Sequence, residues 1–186
     1  WGSARDRIER PDRMVFDLDP DEGLGFAEVV KAAREVREGL AACGLDSAPM
    51  VTGGKGVHVI VPLRRVVGWE TVKFFSQTFA RILAERAPKR YTATMSKKKR
   101  KGRIFVDWLR NERGSTAIAP YSLRAPEGAA VAVPVTWEEL DGLKAPDGFH
   151  VGDMKARLAR PCPLEATKPA GITAKVVEAL EAWAQG

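Results

Sequence analysis

Two stretches of helical spacing, each bounded by short β-rich runs, constrain the fold of this chain more than any other feature. From Phe26 to Cys43 the apolar positions Phe26, Val29, Val30, Ala33, Val36 and Leu40 recur at intervals of mostly three or four, and Gly44 supplies a stop. From about Trp69 to Arg86 the residues Val72, Phe75, Phe79, Ile82 and Leu83 do the same. Ahead of the first helix, residues 13–19 alternate Met14, Phe16 and Leu18 with Val15, Asp17 and Asp19. That pattern predicts a strand, and pairing is expected to stop at Pro20, which has no N–H to donate. Between the helices, residues 49–52 and 57–62 read as a hairpin across Gly53-Gly54-Lys55-Gly56. After the second helix, residues 91–94 read as a short strand or extended loop, and residues 103–108 as a full strand.

Strand, helix, strand, strand, helix, strand is the order of the split βαβ arrangement, an α+β class shared by ferredoxin-like and RNA-recognition folds. A sheet of that kind sets its first and last long strands side by side at the centre, so Asp107 is expected beside Asp17 and Asp19. The remainder is less regular. Residues 116–119 and 131–134 are strand candidates, and Thr136 with Glu139 reads as a capping box for a short helix. Further helices are expected near residues 153–158 and over 173–184, and residues 1–12 read as an irregular lead-in. At 186 residues the chain suits one domain.

The chemistry-bearing residues fall into four groups. Asp17 and Asp19 are two apart on a strand and so share a face. Like charges at that spacing repel unless a cation lies between them, and hard oxygen donors favour Mg²⁺ or Mn²⁺. Asp-x-Asp alone reads more simply as a solvated strand end, and Asp107 alone as an acid closing an apolar strand. Together, three carboxylates suit a two-ion site that activates a hydroxyl and stabilises a leaving pyrophosphate. The second group is Thr52-Gly53-Gly54-Lys55-Gly56-Val57-His58. Its glycines permit close backbone approach to an anion, while Thr52, Lys55 and His58 add a hydroxyl, a charge and a ring nitrogen. It is not a Walker A loop, because a strand follows it. The plainer reading, a glycine hairpin with an exposed lysine and a core histidine, stays open.

The third group is Lys97-Lys98-Lys99-Arg100-Lys101-Gly102-Arg103, six cations in seven positions. With a formal charge of +6 and a pI near 9.5, it reads as salt-sensitive contact to a polyanion or as a solvated loop. The fourth is Arg124, a bidentate phosphate ligand or one half of a surface ion pair. No apolar run approaches the ~20 residues of a membrane span, and nothing at the start resembles a signal peptide. Cys43 and Cys162 lack metal spacing and read as packing residues in a reducing cytosol.

These motifs resemble a known family. Val15-Phe16-Asp17-Leu18-Asp19-Pro20 is similar to the first motif of the polymerase domain of bacterial ligase D, within the archaeo-eukaryotic primase superfamily. Residues 52–58 resemble its second motif, with Thr52 where Ser is usual; Phe105-Val106-Asp107-Trp108 resembles the third. Residues 116–125, Thr-Ala-Ile-Ala-Pro-Tyr-Ser-Leu-Arg-Ala, resemble a further signature. The resemblance implies an RRM-like catalytic core with C-terminal strands and helices, and a metal-dependent, primer-extending nucleotidyltransferase. Such an enzyme fills gaps at broken DNA ends during bacterial non-homologous end joining, often with ribonucleotides and Mn²⁺.

By position, Asp17, Asp19 and Asp107 would hold two Mn²⁺ or Mg²⁺ ions. Thr52, Gly54, Lys55, Gly56, His58 and Arg124 would hold the NTP or dNTP. Lys97, Lys98, Lys99, Arg100, Lys101 and Arg103 would meet nucleic acid, with Arg100 near the primer terminus. The implied partners are DNA ends with a 3′ primer and template, ligase and nuclease domains of the same polypeptide, and a DNA-end-binding protein. The implied location is the bacterial cytoplasm, at the nucleoid. The family carries an N-terminal lobe with a 5′-phosphate pocket and base-stacking residues. The chain, starting at Trp1, is expected to lack that lobe and to self-associate through the apolar surface left bare.

Two other readings stand beside this one: a non-catalytic RNA-recognition-like module that binds nucleic acid, and a primase. The first needs aromatics on the open sheet face, whereas Phe16 and Phe105 are expected on the helix side, opposite the acids. Asp17→Ala is expected to remove activity and leave the fold largely intact, because it deletes a repelling charge.

Overall fold

The computed structural model describes residues 1–125 and 128–185. Its centre is a six-stranded sheet: β1 (Arg13–Pro20), β2 (Ala48–Val51), β3 (Val57–Pro62), β4 (Tyr91–Thr92), β5 (Ile104–Asp107) and β6 (Val133–Pro134). The spatial order is β4-β5-β1-β3-β2-β6, antiparallel except between β4 and β5. β1 lies between β5 and β3, as the split βαβ order requires.

Helices α1 (Phe26–Ala42) and α2 (Trp69–Arg86) cover one face, at the spans their periodicity implies. Met14, Phe16 and Leu18 from β1 and Val57, Val59 and Val61 from β3 point into this layer and are fully buried. Phe16 meets Phe79 of α2 with ring centres 5.0 Å apart. A later helix, α6 (Ala174–Gln185), closes the layer from outside, stacking Trp183 on Phe79 at 4.8 Å and 9°. Gly39 of α1 makes this approach possible, since a Cβ there would lie 2.6 Å from Trp183 and 2.9 Å from Phe79.

The second half of the chain covers the opposite face, which is why β1 is buried on both sides. Val15, Met50, Ile60 and Ala132 form a small apolar cluster there, against Ile118 and Leu164. Helix α3 (Trp137–Gly142) starts at Thr136 with the expected capping box, Glu139 reaching back to the Thr136 N–H. Glu139 also pairs with the buried Arg157 of α4 (Met154–Leu158) at 2.7 and 3.0 Å. Arg157 in turn donates to the Pro134 carbonyl of β6. A single-turn helix, α5 (Pro163–Ala166), was not legible as periodicity because four residues are too few to show one.

Several expectations need correction. β1 runs through Pro20, paired with Ile104. The N–H groups that reach β5's side belong to odd positions, as Asp21 donating to Arg103 at 3.1 Å and Val15 donating to Asn111 show. Pro20 is even, so its missing donor faces β3's side, beyond the end of that strand. Residues 116–119 form no strand: Ile118 packs on the sheet as a plug, and the segment makes no ladder. Residues 131–134 shorten to β6 plus an isolated Val131–Leu123 bridge, and residues 91–94 to the two of β4. Phe105 does not face the helices. It is two residues from Asp107, so it shares the acidic face, while Ile104 and Val106 enter the core.

Candidate active site

Strand pairing brings the three acids together. Asp17 and Asp107 are direct cross-strand partners, and Asp19 stands one pleat further along β1, opposite Phe105. One carboxylate oxygen from each lies within 4.8 Å of the others. Asp17 and Asp107 are buried and Asp19 is half-buried. Oxygen donors, this spacing and an open side suit hard divalent cations, which keep sites free for phosphate and water.

The three acids experience different fields. Burial opposes ionisation of Asp17, but His58 and Arg110 outweigh it and hold that carboxyl below its ordinary value. His58 is Asp17's cross-strand partner on β3, with Nε2 3.4 Å from Oδ1. Asp19 is pushed up to about 6, first by burial, then by the charges of Asp17 and Asp107. Burial also raises Asp107, against the Leu109 N–H, which donates to Oδ1 at 2.8 Å, and against Arg110. Asp19 is therefore the acid that most lacks a counter-charge. Asp17→Ala would remove a charged contact from both Arg110 and His58, whereas relief of repulsion is expected chiefly at Asp19.

The glycine hairpin forms the adjoining wall. Thr52 donates from Oγ1 to the Gly56 carbonyl at 3.0 Å, closing the turn, and Gly53 sits at φ +67°. Gly56 lies against β1 so tightly that a Cβ would be 2.5 Å from the Leu18 carbonyl oxygen. Arg124 lies over the glycines; a Cβ on Gly53 would come within 2.9 Å of its Cγ, and one on Gly54 within 3.3 Å of Nη2. Thr52, Gly54, Lys55, Gly56, His58 and Arg124 line one cavity with Asp17 and Asp19, of about 690 Å³. All six residues expected at the phosphate site thus face the acids. His58 differs in detail: the residue is 3% exposed and its ring is turned to Asp17, with Nδ1 unpartnered among the described residues.

The basic run divides. Lys97–Lys99 form an exposed 3-10 turn, and these lysines, Arg100, Lys101 and Arg103 are not among the residues lining the cavity. Arg100 instead folds inward, its guanidinium carbon 3.9 Å from the centre of the Phe105 ring. Its charge favours the ionised forms of Asp19 and Asp107. The Gly102 N–H donates to Asp21 at 2.7 Å, tying this loop to the end of β1. Phe105 is therefore covered, which leaves that ring unable to serve as a base-stacking platform.

Two site residues were missed in the sequence. Arg110 lies 3.2 Å from Asp17 and 3.4 Å from Asp107. Asn111 is 1% exposed and clasps Val15, accepting from its N–H and donating to its C=O, both at 2.7 Å. It replaces a strand neighbour where β5 has already ended. A cation three residues after an acid was the available signal for Arg110; nothing local marks Asn111. Among the described residues, no helix is long and apolar enough to cross a membrane.

The chain is similar to known proteins in sequence and in fold. The family model described as LigD, primase-polymerase domain, matches residues 1–163. The multifunctional non-homologous end joining protein LigD of Pseudomonas aeruginosa is 42% identical over 158 residues, 85% of this chain and 19% of that protein. The bifunctional LigD of Bacillus subtilis is 31% identical over 159 residues, 84% of this chain and 26% of that protein. The polymerase domain of Mycobacterium tuberculosis ligase D, solved in complex with DNA, superposes with a TM-score of 0.79 at 38% identity. That match covers 85% of this chain and 55% of the solved one. The chain thus spans about a fifth to a quarter of the curated relatives and about half of the solved domain.

Proposed function

This chain belongs to the LigD primase-polymerase domain family, and we propose that it is the catalytic part of a nucleotidyltransferase that extends DNA primers at gaps and broken ends during end joining. The observation that carries the reading is the convergence of two features: a three-carboxylate cluster of Asp17, Asp19 and Asp107, and a cavity in which Asp17 and Asp19 face the glycine hairpin, Lys55 and Arg124. Asp17, Asp19 and Asp107 would hold divalent ions, Mn²⁺ or Mg²⁺, whose charge lowers the pKa of a primer 3′-hydroxyl and neutralises the phosphates.

The chain's own groups position the reactants. Thr52 holds the hairpin closed through its bonds to the Gly56 carbonyl, the hairpin backbone would present N–H donors to the triphosphate, and Lys55 and Arg124 would bring positive charge to its outer phosphates. Attack of the hydroxyl on the α-phosphate then releases pyrophosphate toward those cations. Arg100, stacked on Phe105 with its charge felt by Asp19 and Asp107, would meet the primer strand. His58 orients the Asp17 carboxylate from behind. An N-terminal lobe like that of the family would add the DNA-end contacts in this reading.

The test is primer extension on gapped DNA with Mn²⁺ and ribonucleotides or deoxyribonucleotides, using this chain and a version carrying a family N-terminal lobe. Extension that falls at least a hundredfold in Asp107→Asn is the expected result. Extension unchanged by that substitution would remove the metal assignment. Stacking-based RNA binding is disfavoured, because Phe105, an aromatic on the acidic face, lies under Arg100.

A further inference from the structure

Arg110 stands where the proposed site would least be expected to keep a fixed positive charge. Its Nε and Nη2 both lie 3.2 Å from Asp17 Oδ2, and its Nε lies 3.4 Å from Asp107 Oδ2. A third nitrogen, Nη1, reaches the Thr116 carbonyl at 3.4 Å. The guanidinium therefore spans two of the three acids and ties residues 116–118, the far wall of the cavity, to them. The placement is built into the fold. Arg110 lies in a 3-10 turn, Leu109–Asn111, directly after β5. That turn is fixed at one end by Asp107 accepting from the Leu109 N–H, and at the other by Asn111 gripping Val15.

A guanidinium and a divalent cation cannot both use the same oxygens of Asp17 and Asp107. Their charges repel, and the other oxygens are already engaged, Asp17 Oδ1 facing His58 and Asp107 Oδ1 accepting from the Leu109 N–H, so ions held by both acids would compete with Arg110 for Oδ2. Arg110 also lines the cavity that holds Lys55, Thr52 and Arg124. An anion seated on those groups is within the same space as the guanidinium once it leaves the acids.

We propose that Arg110 is a displaceable counter-ion: it holds Asp17 and Asp107 together before metal arrives, is expelled by divalent ions, and then binds the phosphates of the incoming nucleotide. The proposal rests on the polymerase reading of this cavity. It makes Arg110 a positioning residue that couples metal loading to nucleotide loading. Metal alone must overcome the Arg110 contacts, whereas metal with a triphosphate regains them on the phosphate.

The test uses the full chain without DNA. Mn²⁺ affinity is measured by electron paramagnetic resonance of the free ion, with and without a non-hydrolysable nucleoside triphosphate, for wild type, Arg110→Gln and Arg110→Lys. Removing one nearby positive charge is expected to tighten Mn²⁺ binding in Arg110→Gln by roughly tenfold when nucleotide is absent. Arg110→Lys, which keeps the charge on a side chain that cannot span both acids, should fall between. Nucleotide affinity in saturating Mn²⁺ should drop by roughly tenfold in Arg110→Gln.

Unfolding in EDTA and in Mn²⁺ is followed alongside. The variant should be less stable than wild type only in EDTA. Unchanged or weaker Mn²⁺ binding by folded Arg110→Gln would overturn the competition, and unchanged nucleotide affinity would overturn the transfer to phosphate. A wild type that binds no Mn²⁺ would instead sink the polymerase reading itself, so the two failures are distinct.

Discussion

Asp19→Asn should make the metal-free protein more stable while destroying its response to metal. Among the described residues, no hydrogen bond or ion pair holds the Asp19 carboxyl, and burial and two like charges push its pKa from 3.8 up to about 6. At full strength that displacement corresponds to about 3 kcal/mol against the ionised fold at neutral pH. Asp19 is only half-buried, so water screens part of it and about 1.5 kcal/mol is the expected gain. For a chain of this size the gain is roughly 3–6 °C in Tm.

The pH dependence has a definite sign. For an acid with a raised folded pKa, the penalty is complete above about 6 and absent below 3.8. The advantage of Asp19→Asn measured in EDTA should therefore be largest at pH 7.5 and shrink as pH falls from about 6 toward 4. In Mn²⁺ the order should reverse. A wild type bound at a hundred times its Kd gains about 2.7 kcal/mol, and the variant, lacking one ligand, gains little. Urea or thermal unfolding of both proteins in EDTA and in Mn²⁺, at several pH values, measures all of this. A variant less stable than wild type in EDTA at pH 7.5, or an advantage independent of pH, would refute the electrostatic account.

Three other perturbations probe the elements around the site. Gly56→Ala places a Cβ 2.5 Å from the Leu18 carbonyl oxygen; a loss of about 1–3 kcal/mol in stability and of nucleotide binding is expected, checked by denaturation and calorimetric titration. Asn111→Ala leaves both backbone groups of Val15 without their partners at a buried strand edge, at a cost of about 3 kcal/mol and with faster amide exchange at Val15. Glu139 is held at about 2, first by its hydrogen bonds to Arg157. A lowered carboxyl contributes stability that is complete above 4.5 and lost as pH falls toward 2, so Arg157→Gln should flatten acid unfolding in that range.

The local order of elements was legible in the sequence because each depends on neighbours three, four or two residues away. Spacing alone placed α1 and α2, alternation placed β1, and the glycine turn between two apolar runs placed β2 and β3. Thr136 and Glu139 announced their capping box because its bonds close within four residues. The chemical residue types were legible too: Asp17, Asp19 and Asp107, and the Thr52–His58 stretch, carry their donors wherever the chain goes. The order of elements also put Asp107 beside Asp17 and Asp19, but the sequence alone left open which other side chains would meet those acids. Phe105 and Asp107 share a face by simple parity, yet only Arg100 folding back shows that the ring is sealed.

Residues 116–119 read as a strand candidate but make no ladder, and Ile118 packs on the sheet instead. Register decides that Asp17 faces both Asp107 and His58 across two different strands. Tertiary closure then decides that Arg110 reaches two acids and that Asp19 is left with none of its own. Charge balance in a buried cluster is a sum over groups from separate strands and turns. The identities in that sum can be read in order along the chain, but its sign at each carboxylate exists only once the strands are paired.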